Sequence, residues 1–340
     1  MKRVLPIIAC LLTFSGIFAQ DIHFSQYFAS PMTLNPAQTG EFRSTWRGTI
    51  NYRNQWASIP APFVTYALSY DMSILNCKMK YDHMGLGFMM FTDKSGNGAL
   101  SNFTARMSYA YHKALDADNK HKVSLGAQLG TTTKRLDFTN LFFESQYNDG
   151  GFDQDIPSDE PFETDKISYL DMIAGIKWTS NINQKLNFNL GYAMYHISRP
   201  AESFLGDETN DLGTRISANG SLTYLFNDKY SLSPSVLYMA QSGASNLVVG
   251  AAFGYQLDKN FGSRKYSAFY LGAFYRNQDA MLLFTGVDYQ RMRFGFSYDV
   301  TTSGLRDANF GNGGFEISLA YIGDMPKCRR KHQLIHCPRF

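Results

Sequence analysis

Between Ser44 and Trp56 the chain alternates strictly: Trp46, Gly48, Ile50 and Tyr52 take one side, and Arg47, Thr49, Asn51 and Arg53 the other. A period of two is that of a β-strand; a helix would put Arg47 and Arg53 on no common face. Rings stand near both ends of the apolar side, where amphipathic Trp and Tyr suit a membrane interface. The pattern returns at Phe63 to Met72, at Met84 to Thr92 (apolar on both faces), at Phe103 to Lys113 and at Lys122 to Lys134. It continues through Ser168 to Thr179, Leu186 to His196, Gly213 to Phe226, Tyr230 to Gln241 and Asn246 to Leu257. The last four runs are Tyr266 to Arg276, Ala280 to Tyr289, Met292 to Thr301 and Gly314 to Ile322. These fourteen runs, each about the length a tilted strand needs to cross a bilayer, predict an all-β fold: a transmembrane antiparallel β-barrel over residues 44–322.

An even count lets both ends of the barrel lie on one side. With the amino terminus in the periplasm, the long connections Leu136 to Ile167, Ile197 to Leu212 and Thr302 to Asn312 are extracellular. The two shortest, Asn227 with Asp228 and Gln290 with Arg291, are periplasmic. The alternation also sets orientation, because a cation on the lipid face near the midplane costs about 2 to 4 kcal/mol. Trp46, Ile50, Tyr66, Leu68, Phe103 and Tyr109 are expected to face lipid. Arg47, Arg53, Asp71 and Arg106 are expected to face the lumen, joining Asp288 and Asp299 in an internal ion-pair network.

Ahead of the barrel, Lys2 and Arg3 precede an apolar run from Val4 to Phe18, and Ala19 before Gln20 offers a cleavage point, so residues 1–19 read as a signal peptide. Ile7, Ile8, Ala9 and Cys10 formally match a lipoprotein box, but almost none of the apolar run precedes Cys10. Residues 20–43 carry Phe24, Tyr27, Phe28, Pro31 and Asn35 before Pro36; the prolines break any strand and leave an irregular periplasmic or lumen-plugging segment. Residues 323–340 form a basic tail on the periplasmic side.

Composition changes this picture little. No later run of eighteen apolar residues offers a transmembrane helix, and a low mean hydropathy does not argue against a barrel, since alternation hides the lipid face. Without Lys2 and Arg3 the chain carries 30 basic against 29 acidic residues, a net of +1, which argues against a nucleic-acid binder.

Candidate chemistry is sparse. Eight carboxylates and no Lys or Arg lie between Glu144 and Asp165. There Asp149, Asp153 and Asp155 surround glycines in a way that can hold calcium, though not with the spacing of a recognised calcium loop, and a solvated surface loop is the plainer reading. The seven histidines form no HExxH, and there is no GxSxG and no phosphate-binding glycine loop. His196 and Ser198 lie near an outer strand end without an identifiable third partner, so no catalytic residue and no cofactor is expected. In the tail, Cys328 and Cys337 are a disulfide candidate in an oxidising compartment. Reduced thiols, or half of a zinc site with His332 and His336, stay open. Lys327, Arg329, Arg330 and Lys331 are a candidate docking cluster for an acidic periplasmic partner.

The stretch HFSQYFASPMTLNPAQTG, followed by NYRNQW, FVTYALSYD, YLDMIAGIKW, SPSVLY, YRNQDAMLLFTGVDY, FSYDVTTSGL and the terminal CPRF, resembles the PorP/SprF outer-membrane proteins of the type IX secretion system of Bacteroidetes. The resemblance implies a non-enzymatic barrel assisting secretion or surface anchoring of large adhesin-like proteins, some needed for gliding. Its expected partners are the exported cargo, periplasmic and outer-membrane secretion components, and membrane lipid. A passive or substrate-selective outer-membrane pore is the alternative; the segment over residues 20–43 and the basic tail favour the secretion role.

Overall fold

The computed structural model describes residues 21–59, 62–74, 79, 81–96, 100–138, 141–148, 150–153, 155–157, 164–207, 209–257 and 266–324. The leader, Asp149 and the tail with Lys327, Cys328, Arg329, Arg330, Lys331 and Cys337 lie outside these residues.

Fourteen strands close into one antiparallel barrel. They are β1 Trp46–Gln55, β2 Phe63–Ile74, β3 His83–Ser95, β4 Leu100–Ala114, β5 His121–Leu136, β6 Lys166–Asn181 and β7 Leu186–Tyr195. The second half comprises β8 Arg215–Leu225, β9 Tyr230–Gln241, β10 Ala244–Gln256, β11 Ser267–Arg276, β12 Ala280–Tyr289, β13 Met292–Thr301 and β14 Asn312–Gly323. Each pairs with its chain neighbours, and β1 meets β14 in a continuous ladder from Trp46 opposite Gly323 to Gln55 opposite Gly314. No sheet edge is left along the closed wall, as a hydrocarbon environment demands of backbone polar groups.

Every run read from the sequence corresponds to one strand, although β3, β4, β5 and β6 extend several residues further. The facing is also as expected. Ile50, Tyr66, Leu68, Phe103 and Tyr109 are exposed on the outer face, while Arg53, Asp71 and Arg106 are buried inside. Trp46 is half-covered by the rings of Tyr70 and Tyr321, at 5.8 and 5.2 Å. In β9, Pro234 has no N–H to offer β8, and the ladder skips Leu222 and Thr223 opposite it. Thr223 Oγ1 and Ser233 Oγ, 3.1 Å apart, span the break from inside.

The two rims differ. One carries the connections 56–62, 137–165, 196–214 and 302–311; the other includes the tight joints 226–229 and 290–291. They are called here the long-loop and short-turn rims. Within loop 137–165, Asp155 donates its amide to Asp153 Oδ1 at 3.0 Å, and among the described residues no three His, Cys, Asp or Glu side chains converge as metal ligands would.

Candidate functional site

The interior of the barrel is filled by the chain's own residues 21–43. Two prolines set this segment's shape: Pro31 opens the helical turn Pro31–Leu34, and Pro36 opens the 3-10 turn Pro36–Gln38, capped by Asn35 Oδ1 accepting from Ala37 N at 2.8 Å. The segment leaves β1 at the short-turn rim, where Ser44 bonds the Gly323 carbonyl, and its far end reaches the long-loop rim.

Near the short-turn rim the wall clasps it through polar groups. Gly40 N donates to Asp71 Oδ2 at 2.7 Å, and Arg47 holds the same carboxylate through Nε and Nη2 at 3.0 and 2.7 Å. Glu41 is bound by Lys177 at 2.6 Å and Thr179 at 2.9 Å. Burial is the largest influence and works to raise the Glu41 pKa, but Lys177, His112 and Lys122 together bring it down to about 2. His112 Nε2 donates to the Thr39 carbonyl at 2.8 Å, and Asn35 Nδ2 to the carbonyls of Ile176 and Tyr192 at 3.1 and 3.2 Å. Gly85 and Gly126 make the seat possible, since a Cβ would lie 1.9 Å from the Thr39 carbonyl oxygen at the first and 2.3 Å from Ala37 N at the second.

Midway, apolar rings meet. Tyr27, Phe28 and Leu34 pack on Leu237, Val248, Ala252, Phe274, Leu282 and Phe284, with Phe28 5.0 Å from the Phe284 ring, while Phe24 and Met32 pack on Met89 and Phe91 across the lumen. A cavity of about 50 Å³ remains beside Tyr27, Phe28 and Lys177 against β8 and β9, room for a few waters.

Above the rings lies a buried charge cluster. Glu316 accepts the amides of Ser25 and Gln26 at 2.5 and 2.8 Å and pairs with Arg53. Ser25 Oγ donates to Asp299 at 2.6 Å and accepts from Arg53 and Arg276, both at 2.6 Å. His23 beside them has a pKa well below its ordinary value, through burial first and then the cations of Arg276 and Arg53. At the long-loop end, Asp21 meets His196 Nε2 at 2.5 Å and Arg215 at 3.5 Å, and its amide donates to Gln241 at 3.1 Å. His196 Nδ1 lies 3.1 Å from Asp171, itself paired with Arg106 at 2.9 Å. His196 is the first residue past β7. Burial works to lower its pKa, but Asp21 and then Asp171 raise it to about 9. Asp21 moves the other way: burial alone would raise it, and Arg215 with His196 holds it well below the usual carboxylate range.

The inward charges named from the sequence are therefore partnered: Arg47 with Asp71, Arg106 with Asp171, Asp288 with Arg293, and Arg53 with Asp299 and Glu316. Not anticipated were Glu316, Asp171 and Arg276, although each falls on the inward phase of its strand, and the clasp on Asp21. Ser198 Oγ donates to the Leu170 carbonyl and has no part in the His196 cluster.

A closed fourteen-strand tube, ringed outside by apolar side chains and carrying its charges inside, is an outer-membrane β-barrel, here with its lumen filled by its own amino-terminal segment. The chain belongs to the family described as type IX secretion system membrane protein PorP/SprF, whose family profile matches residues 17–321. Among solved structures it is similar to the toluene transporter TbuX of Ralstonia pickettii, at 12% identity and a TM-score of 0.51 over 86% of this chain and 92% of that one. It is also similar to a Pseudomonas aeruginosa FadL homologue, at 10% identity and a TM-score of 0.50 over 84% and 92%. At such identities the likeness is one of fold. No curated protein matches. Family and fold are those of a secretion component and an outer-membrane barrel, and not those of an enzyme.

Proposed function

We propose that this barrel is a closed outer-membrane mount of the type IX secretion system. In this reading it assists secretion or surface anchoring of large adhesin-like proteins of the gliding type, with its long-loop rim outside the cell. The observation that carries the reading is the occupancy of the lumen from rim to rim by residues 21–43, clasped by charge at both ends and by rings between. A conduit for solutes would need that path clear. An anchor needs only a rigid wall and loops on which partners sit, and family membership supplies the secretion context.

The experiment is a clean deletion scored two ways. Loss of one or a few large surface proteins from the cell, with membrane integrity intact, is the expected result. Normal display of every such protein overturns the reading. Single-channel recording of the purified barrel separates the pore alternative, since a steady open conductance at low voltage would favour it. In the same reading residues 1–19 are a leader removed near Gln20, and the tail is a periplasmic docking element. Its cluster Lys327, Arg329, Arg330 and Lys331 meets an acidic partner surface, with a Cys328–Cys337 bond to keep it compact. Replacing those four cations by Ser should weaken co-purification of periplasmic components without reducing the folded barrel.

A further inference from the structure

The longest loop carries a structured apolar patch that neither the lumen nor the membrane accounts for. It is built on Gln146, a buried amide within an otherwise open loop. Gln146 Oε1 accepts from Phe143 N at 3.1 Å, its Nε2 donates to the Ile156 carbonyl at 2.9 Å, and its carbonyl accepts from Asp153 N at 2.9 Å. These bonds hold a small ladder of Tyr147–Asn148 against Gly151–Phe152. On it three rings join: Phe152 lies 5.5 Å from Phe142 and 5.2 Å from Tyr147. They are 56%, 56% and 63% exposed, for Phe142, Phe152 and Tyr147 respectively. Exposed rings on the barrel wall face lipid, whereas these stand in the loop beyond the strand ends. A contiguous exposed aromatic patch on a hydrogen-bonded scaffold is the usual mark of a protein contact.

Charge selects the occupant. Glu144, Asp153 and Asp155 flank the rings, and the stretch from Glu144 to Asp165 holds eight carboxylates with no Lys or Arg. That field repels the anionic headgroups of a membrane surface, and it repels a second copy of the same loop, so neither lipid nor a loop-to-loop dimer suits the patch. A segment with basic residues around apolar side chains suits it on both counts, cations meeting the rim and side chains covering the rings.

We propose that the Phe142, Tyr147 and Phe152 patch is the docking surface for a basic segment of the exported surface protein. This rests on the anchoring function proposed above. The test first defines, in the deletion strain, which surface proteins leave the cell. That set is then quantified on cells complemented with the wild-type chain, with F142S/Y147S/F152S, or with E144Q/D153N/D155N. The ring variant should retain those proteins at least about tenfold less well, as expected for loss of central aromatic contacts. The charge variant should retain them severalfold less well. The heat-modifiable barrel band should be unchanged in both. Should the triple variant not reach the membrane, F152S alone, which removes the central ring, carries the same expectation. Wild-type retention by an assembled ring variant overturns the inference and leaves the anchoring function standing. A deletion strain that loses no surface protein removes the anchoring function and the inference together.

Discussion

Gly126 on β5 is the position at which the seating of the internal segment can be tested by a single added side chain. A Cβ there would come within 2.3 Å of both Ala37 N and the Pro36 carbonyl carbon, and 2.6 Å of the Pro36 oxygen, all of them backbone. Ordinary contacts of this kind are about 3.5 Å, so Gly126→Val has to push the segment off the wall by about 1 Å. Such a shift breaks at least three bonds of the lower clasp: Asn35 to the carbonyls of Ile176 and Tyr192, and His112 to that of Thr39. At about 1 kcal/mol net for each, the seated state loses about 3 kcal/mol, which raises the ratio of displaced to seated molecules about a hundredfold. Thr39 is fully buried, so Thr39→Cys reports that ratio through its labelling rate with a water-soluble maleimide. The rate should rise by about that factor when Gly126→Val is added, with the folded barrel band unchanged. A rate within a fewfold of the Thr39→Cys parent, in a folded barrel, would show that residues 36–39 do not rest on β5.

Glu316→Gln leaves Arg53 without its close carboxylate and presents an amide to the Ser25 and Gln26 N–H groups; a loss of about 3 to 5 kcal/mol is expected, read as a lower urea midpoint in detergent, and an unchanged midpoint would refute the cluster's role. The upper clasp depends on pH with a definite sign. Because the His196 pKa is raised to about 9, its contribution is complete below about 6.5 and is lost as pH rises through about 9, so the protection factor of the Asp21 amide, which donates to Gln241, should fall over that interval in the wild type and not in His196→Gln. The lowered Asp21 pKa acts at the other limit, its contribution being present above the ordinary carboxylate range and lost only in acid. A lipid-soluble thiol probe should label cysteine at position 50 and miss position 47, since Ile50 is exposed and Arg47 pairs with Asp71 inside; the opposite result reverses the register of β1.

The strand count and the facing were legible because one period governs the wall and a misplaced charge in lipid is heavily penalised. Where the sequence was hardest to read, the reason lies in the lumen. β3 is apolar on both faces because its inward Met89 and Phe91 pack against Phe24 and Met32, and β10 to β12 turn Val248, Ala252, Phe274, Leu282 and Phe284 inward, between polar ends, because Tyr27, Phe28 and Leu34 lie on them. Apolar inward stretches in a barrel whose inner wall is otherwise polar were the available signal that the tube is filled, and where. The partners of Asp21 had no such signal: Asp171, His196 and Arg215 stand at the same end of the consecutive strands β6 to β8, where pairing makes them neighbours, but no strand pattern says that Asp21 reaches them from inside the tube.

The route of residues 21–43 also constrains how the protein can be assembled. Ser25 and Gln26 are bonded to Glu316 and Ser318 on β14, the last strand made, which in turn zips to β1 along its whole length. The first described stretch of the chain is thus enclosed by the final seam. A wall that wrapped around this stretch would use it as a mandrel and bury its rings as each strand arrived, whereas a wall that closed empty would then have to draw a prolyl-stiffened thread through a finished tube. A bulky folded domain fused ahead of Asp21 tells the two orders apart, because it can stand beyond the long-loop rim only if the seam closes last.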